Sequence, residues 1–173
     1  MAGRLVQVST TTVDSSSPVS SVTLTGITDN SVYFVAISNA KGSVDNKAFR
    51  LRVSTSGTVK DTDYAVAYHR LRTDQAFTDH AASTDPSVTW LGGAGTGTGE
   101  AGNLLLYLYN MYDSSEYSYG TMTPVGYMST PKLEANTGAW IRKVAEENNE
   151  IHFYLQDSSQ FNSGTFTLYK VTS

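Results

Sequence analysis

Apolar and polar positions alternate with period two along most of the chain. Ser21-Val22-Thr23-Leu24-Thr25-Gly26-Ile27 places its apolar side chains on one side and its hydroxyls on the other, as a half-buried strand requires. Phe49-Arg50-Leu51-Arg52-Val53 repeats the pattern, setting Phe49, Leu51 and Val53 against Arg50 and Arg52. Tyr64 to Tyr68 continues it, and Glu150 to Leu155 puts Ile151, Phe153 and Leu155 on one side. Thr165 to Val171 closes the chain with Phe166 and Leu168 facing together, a strand expected to be integral to the core. Val32 to Ser38 and Asn103 to Tyr109 are apolar on both faces and read as central strands. Leu5 to Val8, Val88 to Leu91 and Ala139 to Val144 read as further strands.

The stretches between them carry turn chemistry. Asp29-Asn30-Ser31, Ser56-Gly57, Glu146 to Asn149 and Gln160 to Gly164 read as turns. Residues 73–86 are polar and end at a proline, which predicts a long loop with at most one helical turn. Gly92 to Gly102 predicts a flexible surface loop, or one shaped by contact with a neighbour. Tyr117 to Met128 is interrupted by Pro124 and so predicts an edge or bulged strand. Helical periodicity is confined to a weak trace from Ile141 to Glu147. About nine or ten short strands with turn signals every ~8–15 residues, and no strand–helix alternation, predict an all-β fold. The architecture expected is an antiparallel β-sandwich, jelly-roll-like. Residues 1–14 form an N-terminal arm or first strand, and residues 15–173 a single sandwich domain.

Composition sharpens this. Thr (22) and Ser (21) together make about a quarter of the 173 residues, while charged residues make only 16%, against roughly 25% in average domains. Hydroxyl residues are poor helix formers, so the bias supports strands and turns. Twelve Lys+Arg against 16 Asp+Glu give a net charge of −4 without a basic run, which argues against a nucleic-acid partner. The absence of cysteine excludes disulfides, thiolate metal sites and a cysteine nucleophile. No apolar run approaches the ~20 residues of a membrane-spanning helix, so no membrane insertion is expected, and MAGRLVQVST lacks the apolar core of a signal peptide.

Enzyme chemistry finds little footing. Gly97-Thr98-Gly99-Glu100-Ala101-Gly102 matches the spacing of a dinucleotide fingerprint, but a strand and not a helix is expected after it, so no helix N-terminus would meet a pyrophosphate. His69, His80 and His152 form no close metal-binding pair, and no Gly-x-Ser-x-Gly elbow occurs. Asp61 with Asp63, and Glu146 with Glu147 and Glu150, lie in or beside turns, where carboxylates are ordinarily solvated. They are weak candidates for glycoside hydrolysis, and Asp61-Thr62-Asp63 a weak one for calcium. The expectation is a non-enzymatic protein with no cofactor and no metal.

The tyrosines say more. Six of the 11 fall in one stretch: Tyr107, Tyr109, Tyr112, Tyr117, Tyr119 and Tyr127. Tyrosine combines a large apolar area with a polar tip, which suits core packing, subunit interfaces and sugar-stacking platforms alike. These six are the candidate interface or ligand platform.

Several segments carry a family resemblance. Leu5-Val6-Gln7-Val8, Ser20 to Ile27, Val32-Tyr33-Phe34, Phe49 to Gly57 and Asp63-Tyr64 follow one another as in a module common in tailed-bacteriophage virion proteins, and the chain resembles that module over nearly its whole length. The module's closing Gly-x-hydrophobic-x-Leu-Tyr-Gly is matched by Gly164-Thr165-Phe166-Thr167-Leu168-Tyr169, with Lys170 in place of the final glycine. The resemblance implies a β-sandwich that assembles on a phage particle and brings no catalytic residues with it. The expected role is a capsid decoration or cement protein on the virion surface, in contact with other virion proteins. It would form a homo-oligomer, a trimer by preference, and Ala2 to Asp14 could reach a neighbour as an arm. The alternative is a tail-fibre or tail-tip module binding a host glycan. The absence of heptads or fibre repeats tilts the reading toward decoration.

Overall fold

The computed structural model describes residues 3–129 and 131–172. Strand accounts for 64% of the chain and helix for 2%, so the fold is all-β. Two antiparallel sheets pack face to face as a sandwich.

The strands are β1 (Arg4–Val13), β2 (Ser21–Thr25), β3 (Tyr33–Gly42), β4 (Lys47–Thr55), β5 (Thr58–Val59), β6 (Tyr64–Arg72) and β7 (Thr78–Asp85), then β8 (Val88–Ala94), β9 (Gly102–Tyr109), β10 (Ser118–Tyr127), β11 (Leu133–Arg142), β12 (Glu150–Leu155) and β13 (Phe161–Thr172). The larger sheet has eight strands in the order β1-β13-β3-β9-β10-β11-β6-β7. The smaller has the order β2-β12-β4-β5, with β8 also paired to β4. One 3-10 turn, Gln156–Ser158, links β12 to β13.

The period-two pattern dictates which side chains meet between the sheets. Phe49, Leu51 and Val53 of β4, Ile151, Phe153 and Leu155 of β12, and Phe166 and Leu168 of β13 are all buried. Aromatic rings form the centre: Phe49 stacks on Trp90 at 4.8 Å between centroids, and Phe161 meets Phe166 edge-on at 5.1 Å. Tyr64 is buried at the other end. Its hydroxyl accepts from the Val53 N–H (2.8 Å) and donates to the Lys60 carbonyl (3.0 Å), and burial pushes its pKa up.

Several elements depart from the sequence expectations. Residues 78–85, expected in a loop, form edge strand β7, which pairs with β6 from Tyr64↔Asp85 to Arg70↔Thr78. Its side chains are nearly all exposed, so it carries no apolar alternation to read. Tyr117 to Met128 is expected to be an edge or bulged strand; the edge position does not hold, since β10 lies between β9 and β11. The Pro124 signal survives locally: the rungs to β11 step from Met122↔Gly138 to Val125↔Ala135, missing Thr123 and Pro124, because proline has no N–H to give. The glycine-rich loop is shorter than expected, since β8 runs on to Ala94. The helical trace at Ile141 to Glu147 is the end of β11 and the chain beyond it, where Arg142 turns inward and ties down Asp63 and Glu146. At the N-terminus, residues 4–13 form a strand paired with β13, while Met1 and Ala2 lie outside the described residues.

Candidate functional site

The two outer surfaces of the sandwich differ in chemistry. On the small sheet, Arg50 and Arg52 of β4 lie across from Tyr154 and His152 of β12, which lie across from Ser21 and Thr23 of β2. Arg52 sits over the Tyr154 ring at 4.9 Å and donates to the Pro86 carbonyl at 2.9 Å. The His152 ring meets the Thr23 hydroxyl at 2.9 Å. Burial, together with the positive charge of Arg52, holds the His152 pKa below its ordinary value.

The large sheet is different. Register and alternation define cross-strand rows on its outer face. One row runs Tyr169, Phe34, Tyr107, Thr121, Ala139, Ala67, Ala81 from β13 to β7. Its rings touch: Phe34 lies 4.9 Å from Tyr107 and 6.1 Å from Tyr169. The next row is Tyr109, Tyr119, Ile141, Ala65. On the other side come Thr167, Ala36, Leu105, Thr123 and then Asn103, Val125, Ala135, Leu71. Apart from tyrosine hydroxyls, these rows hold no ionisable side chain; beside them on β6 and β7, His69 and Asp79 satisfy each other at 2.7 Å.

Small side chains carve this face near its β7 edge. Ala65, Ala67, Ala81 and Ala139 floor an open trough of about 600 Å³, with Tyr119 and Ile141 along it. Toward the other end of the same strands, Phe77 lies with Leu71, Leu133 and Ala135 around a second, smaller hollow.

The six candidate tyrosines divide by position. Tyr107, Tyr119 and Tyr127 point outward and are exposed, and Tyr109 joins them half-buried, opposite Tyr119. Tyr112 does not belong to this face: it packs against the core beyond the end of β9. Tyr117 is exposed in the turn leading to β10. The sequence reading missed Phe34, Tyr169, Leu105 and the alanine trough. Parity could have found two of them, since Phe166 and Leu168 facing inward forces Tyr169 outward, and Tyr33 buried beneath the sheet forces Phe34 outward.

The other sequence candidates serve as ties. Glu100 folds back on its own loop, accepting from the Gly97 N–H at 2.8 Å, and β9 follows the Gly-x-Gly-x-x-Gly stretch where a phosphate site would need a helix. Asp63 and Glu146 hold the buried Arg142 at 3.4 and 3.1 Å. Glu150 accepts from the Ser54 hydroxyl and the Gly57 N–H. Lys170 pairs with Asp29 and holds that carboxyl well below the usual range, helped by the Ser31 N–H. No group of three or more His, Asp or Glu placed to hold a metal occurs among the described residues. No described helix is long and apolar enough to cross a membrane. Compared with protein-family models, curated proteins and solved structures, the chain matches none of them.

Proposed function

We propose that this chain is a non-enzymatic structural protein of a bacteriophage virion, a capsid decoration or cement protein that packs its large-sheet face against neighbouring subunits at the particle surface. The carrying observation is that face. Phe77, Leu105, Tyr107, Tyr119, Val125, Tyr127 and Leu133 are each between 39% and 63% exposed on it. At ~150–250 Å² per aromatic side chain, they present on the order of 600 Å² of apolar surface. The largest patch on a typical monomer is ~300–600 Å², and a standard interface covers ~800 Å² per partner. Depletion of charge with enrichment in tyrosine is the composition of an interface core. The segment resemblance to phage virion modules supplies the biological setting.

The test is the oligomeric state. Sedimentation of the wild type should give a self-associated species, a trimer by preference, and Leu105→Ser with Tyr107→Ser should give the monomer with an unchanged β-type circular dichroism spectrum. A wild type monomeric at high concentration, with this face open to solvent in the assembled particle, overturns the reading. Copy number per virion separates head from tail: hundreds of copies support decoration, a handful in multiples of three or six supports the tail.

A second reading is a tail-fibre or tail-tip module that stacks a host glycan on the same face. The exposed Tyr107 ring, flanked by buried Phe34 and half-buried Tyr169, favours it, because sugar rings pack on exposed aromatic planes. Glycan binding lost in Tyr107→Ala, with a monomeric wild type, would select it.

A further inference from the structure

The eight-stranded sheet reaches past the small sheet at β6, and the inward side chains there line a polar cleft of about 400 Å³. Its walls are Arg70 and Arg72 of β6, Lys132 just before β11 and Glu134 within it, and Asn46 and Gln156 opposite, with Gly92 and Gly93 of β8 between them. Gly93 has a φ of +86°, and a Cβ there would lie 2.8 Å from the Asn46 Oδ1, so β8 presents bare backbone to the cleft.

The charges in the cleft do not cancel. Arg72 is taken by Asp74 at the rim through two hydrogen bonds of 2.9 and 2.7 Å, and Lys132 lies 3.8 Å from the same carboxylate. Glu134, 2% exposed, accepts from the Gly92 N–H through Oε1 at 2.8 Å and keeps Oε2 4.0 Å from Arg72. Arg70 is left over. It makes no ion pair among the described residues, and its Nε is buried without a hydrogen-bond partner. Three cations thus face two carboxylates, and the unmatched one is a planar guanidinium, the group best shaped to take a carboxylate through two parallel bonds.

We propose that this cleft binds an acidic sugar, a uronic-acid-type unit, with its carboxylate on Arg70 and its hydroxyls on Glu134 and Asn46. The acceptors decide the class. A ligand here can neutralise one positive charge and also donate hydrogen bonds to the Glu134 carboxylate and the Asn46 side-chain carbonyl, which both line the cleft. A ring bearing one carboxylate and several hydroxyls does both. An acidic peptide side chain brings the charge without hydroxyl donors, and a phosphate, with its hydroxyls on the same centre as its charge, cannot separate charge and donors across the cleft as a sugar ring does. The site lies on the inner side of the large sheet and is independent of the exposed tyrosines.

The experiment is a titration of the ¹⁵N-labelled full chain with D-glucuronate, D-glucose, inorganic phosphate and a glutamate-containing peptide. Glucuronate should shift the Gly92, Gly93 and Glu134 amides, and glucose should not. Arg70→Ala and Arg70→Gln should each weaken glucuronate at least tenfold, the second keeping a polar stem in case the first disturbs the fold. Arg4→Ala removes the same charge at the far edge of the sheet and should leave affinity unchanged. Three results each overturn the proposal: no shift at those amides, equal weakening by Arg4→Ala, or binding of phosphate or peptide as tight as that of glucuronate.

Discussion

Truncating Phe166 removes the ring on which both sheets converge. Phe166 sits in β13, which pairs with β1 on one side and β3 on the other, and its side chain has no solvent exposure. Its ring lies 5.1 Å from Phe161 and 5.8 Å from Phe153, and Phe161 in turn stacks on Phe49 at 5.8 Å. Phe166→Ala therefore opens a cavity walled by rigid rings that cannot collapse into it. Such substitutions cost about 3–5 kcal/mol, the transfer energy plus the unfilled volume. Against a total stability of ~5–15 kcal/mol, that is about a fifth or more of what holds the domain together. For a chain of this size each kcal/mol lowers Tm by roughly 2–4 °C, so a drop of about 6–20 °C is expected. Urea unfolding followed by tryptophan fluorescence reads it directly, since Trp90 and Trp140 are both buried. The midpoint should fall with the slope unchanged. Phe77→Ala, at a ring 63% exposed, is the matched control and should cost far less. A loss below about 1 kcal/mol for Phe166, against the 3–5 expected of a filled core site, would refute the assignment of β13 to the core.

Other substitutions probe other parts of the sandwich. Gly120→Ala should destabilise by about 1–3 kcal/mol in thermal melts, because a Cβ there lands 2.5 Å from the Trp140 indole. Arg142→Ala should cost about 1.5–3 kcal/mol in urea titration, as the guanidinium is 6% exposed, holds Asp63 and Glu146, and lies over the Tyr64 ring. The folded-state pKa of His152 is depressed, so the fold favours the neutral ring. Its contribution is fully present above the ordinary value of 6.5 and is lost as pH falls through the folded value. His152→Gln should flatten the stability profile in that window when melts at pH 7.5 and below 6 are compared.

How much of this was legible in the chain depends on where a strand lies. Strands with one buried face announce themselves: Phe49, Leu51 and Val53, or Ile151, Phe153 and Leu155, alternate with polar residues and land in the core. β7 is open on nearly every side chain, so nothing in its composition separates it from a loop, and only its ladder to β6 makes it a strand. Pro124 misled in the opposite direction. Proline forbids the rungs it would donate, not the strand's position, and β10 keeps its full register with β9 through Pro124↔Leu104. The candidate face was half legible for a related reason. The tyrosine cluster is contiguous in sequence, but the face is contiguous across strands, bringing Tyr169 and Phe34 beside Tyr107 from 62 and 73 residues away. Tyr112 shows the converse: a neighbour in sequence that leaves the face once the strand ends.

The hydroxyl-rich composition follows from the same geometry. A strand whose outer side must be polar can carry charges, or it can carry threonine, which is β-branched and fits the pleat while pairing across strands. Here threonine takes that place: Thr10 meets Thr167 at 3.0 Å and Thr12 meets Thr165 at 3.4 Å along the β1–β13 ladder. Tiling with hydroxyls lets the large sheet stay nearly free of charge without becoming greasy over its whole width. Charge then collects elsewhere, in the Arg50 and Arg52 face of the small sheet and in the Arg70 cleft. A sheet face built from tyrosine, threonine and alanine can be covered by another surface without stranding an unpaired ion, because it has none to strand beyond the His69–Asp79 pair. Placing a lysine at Thr121 or Thr123, central and exposed in that face, should therefore disrupt association while leaving the monomer's stability nearly unchanged, a separation that sedimentation and thermal melts on one variant can read.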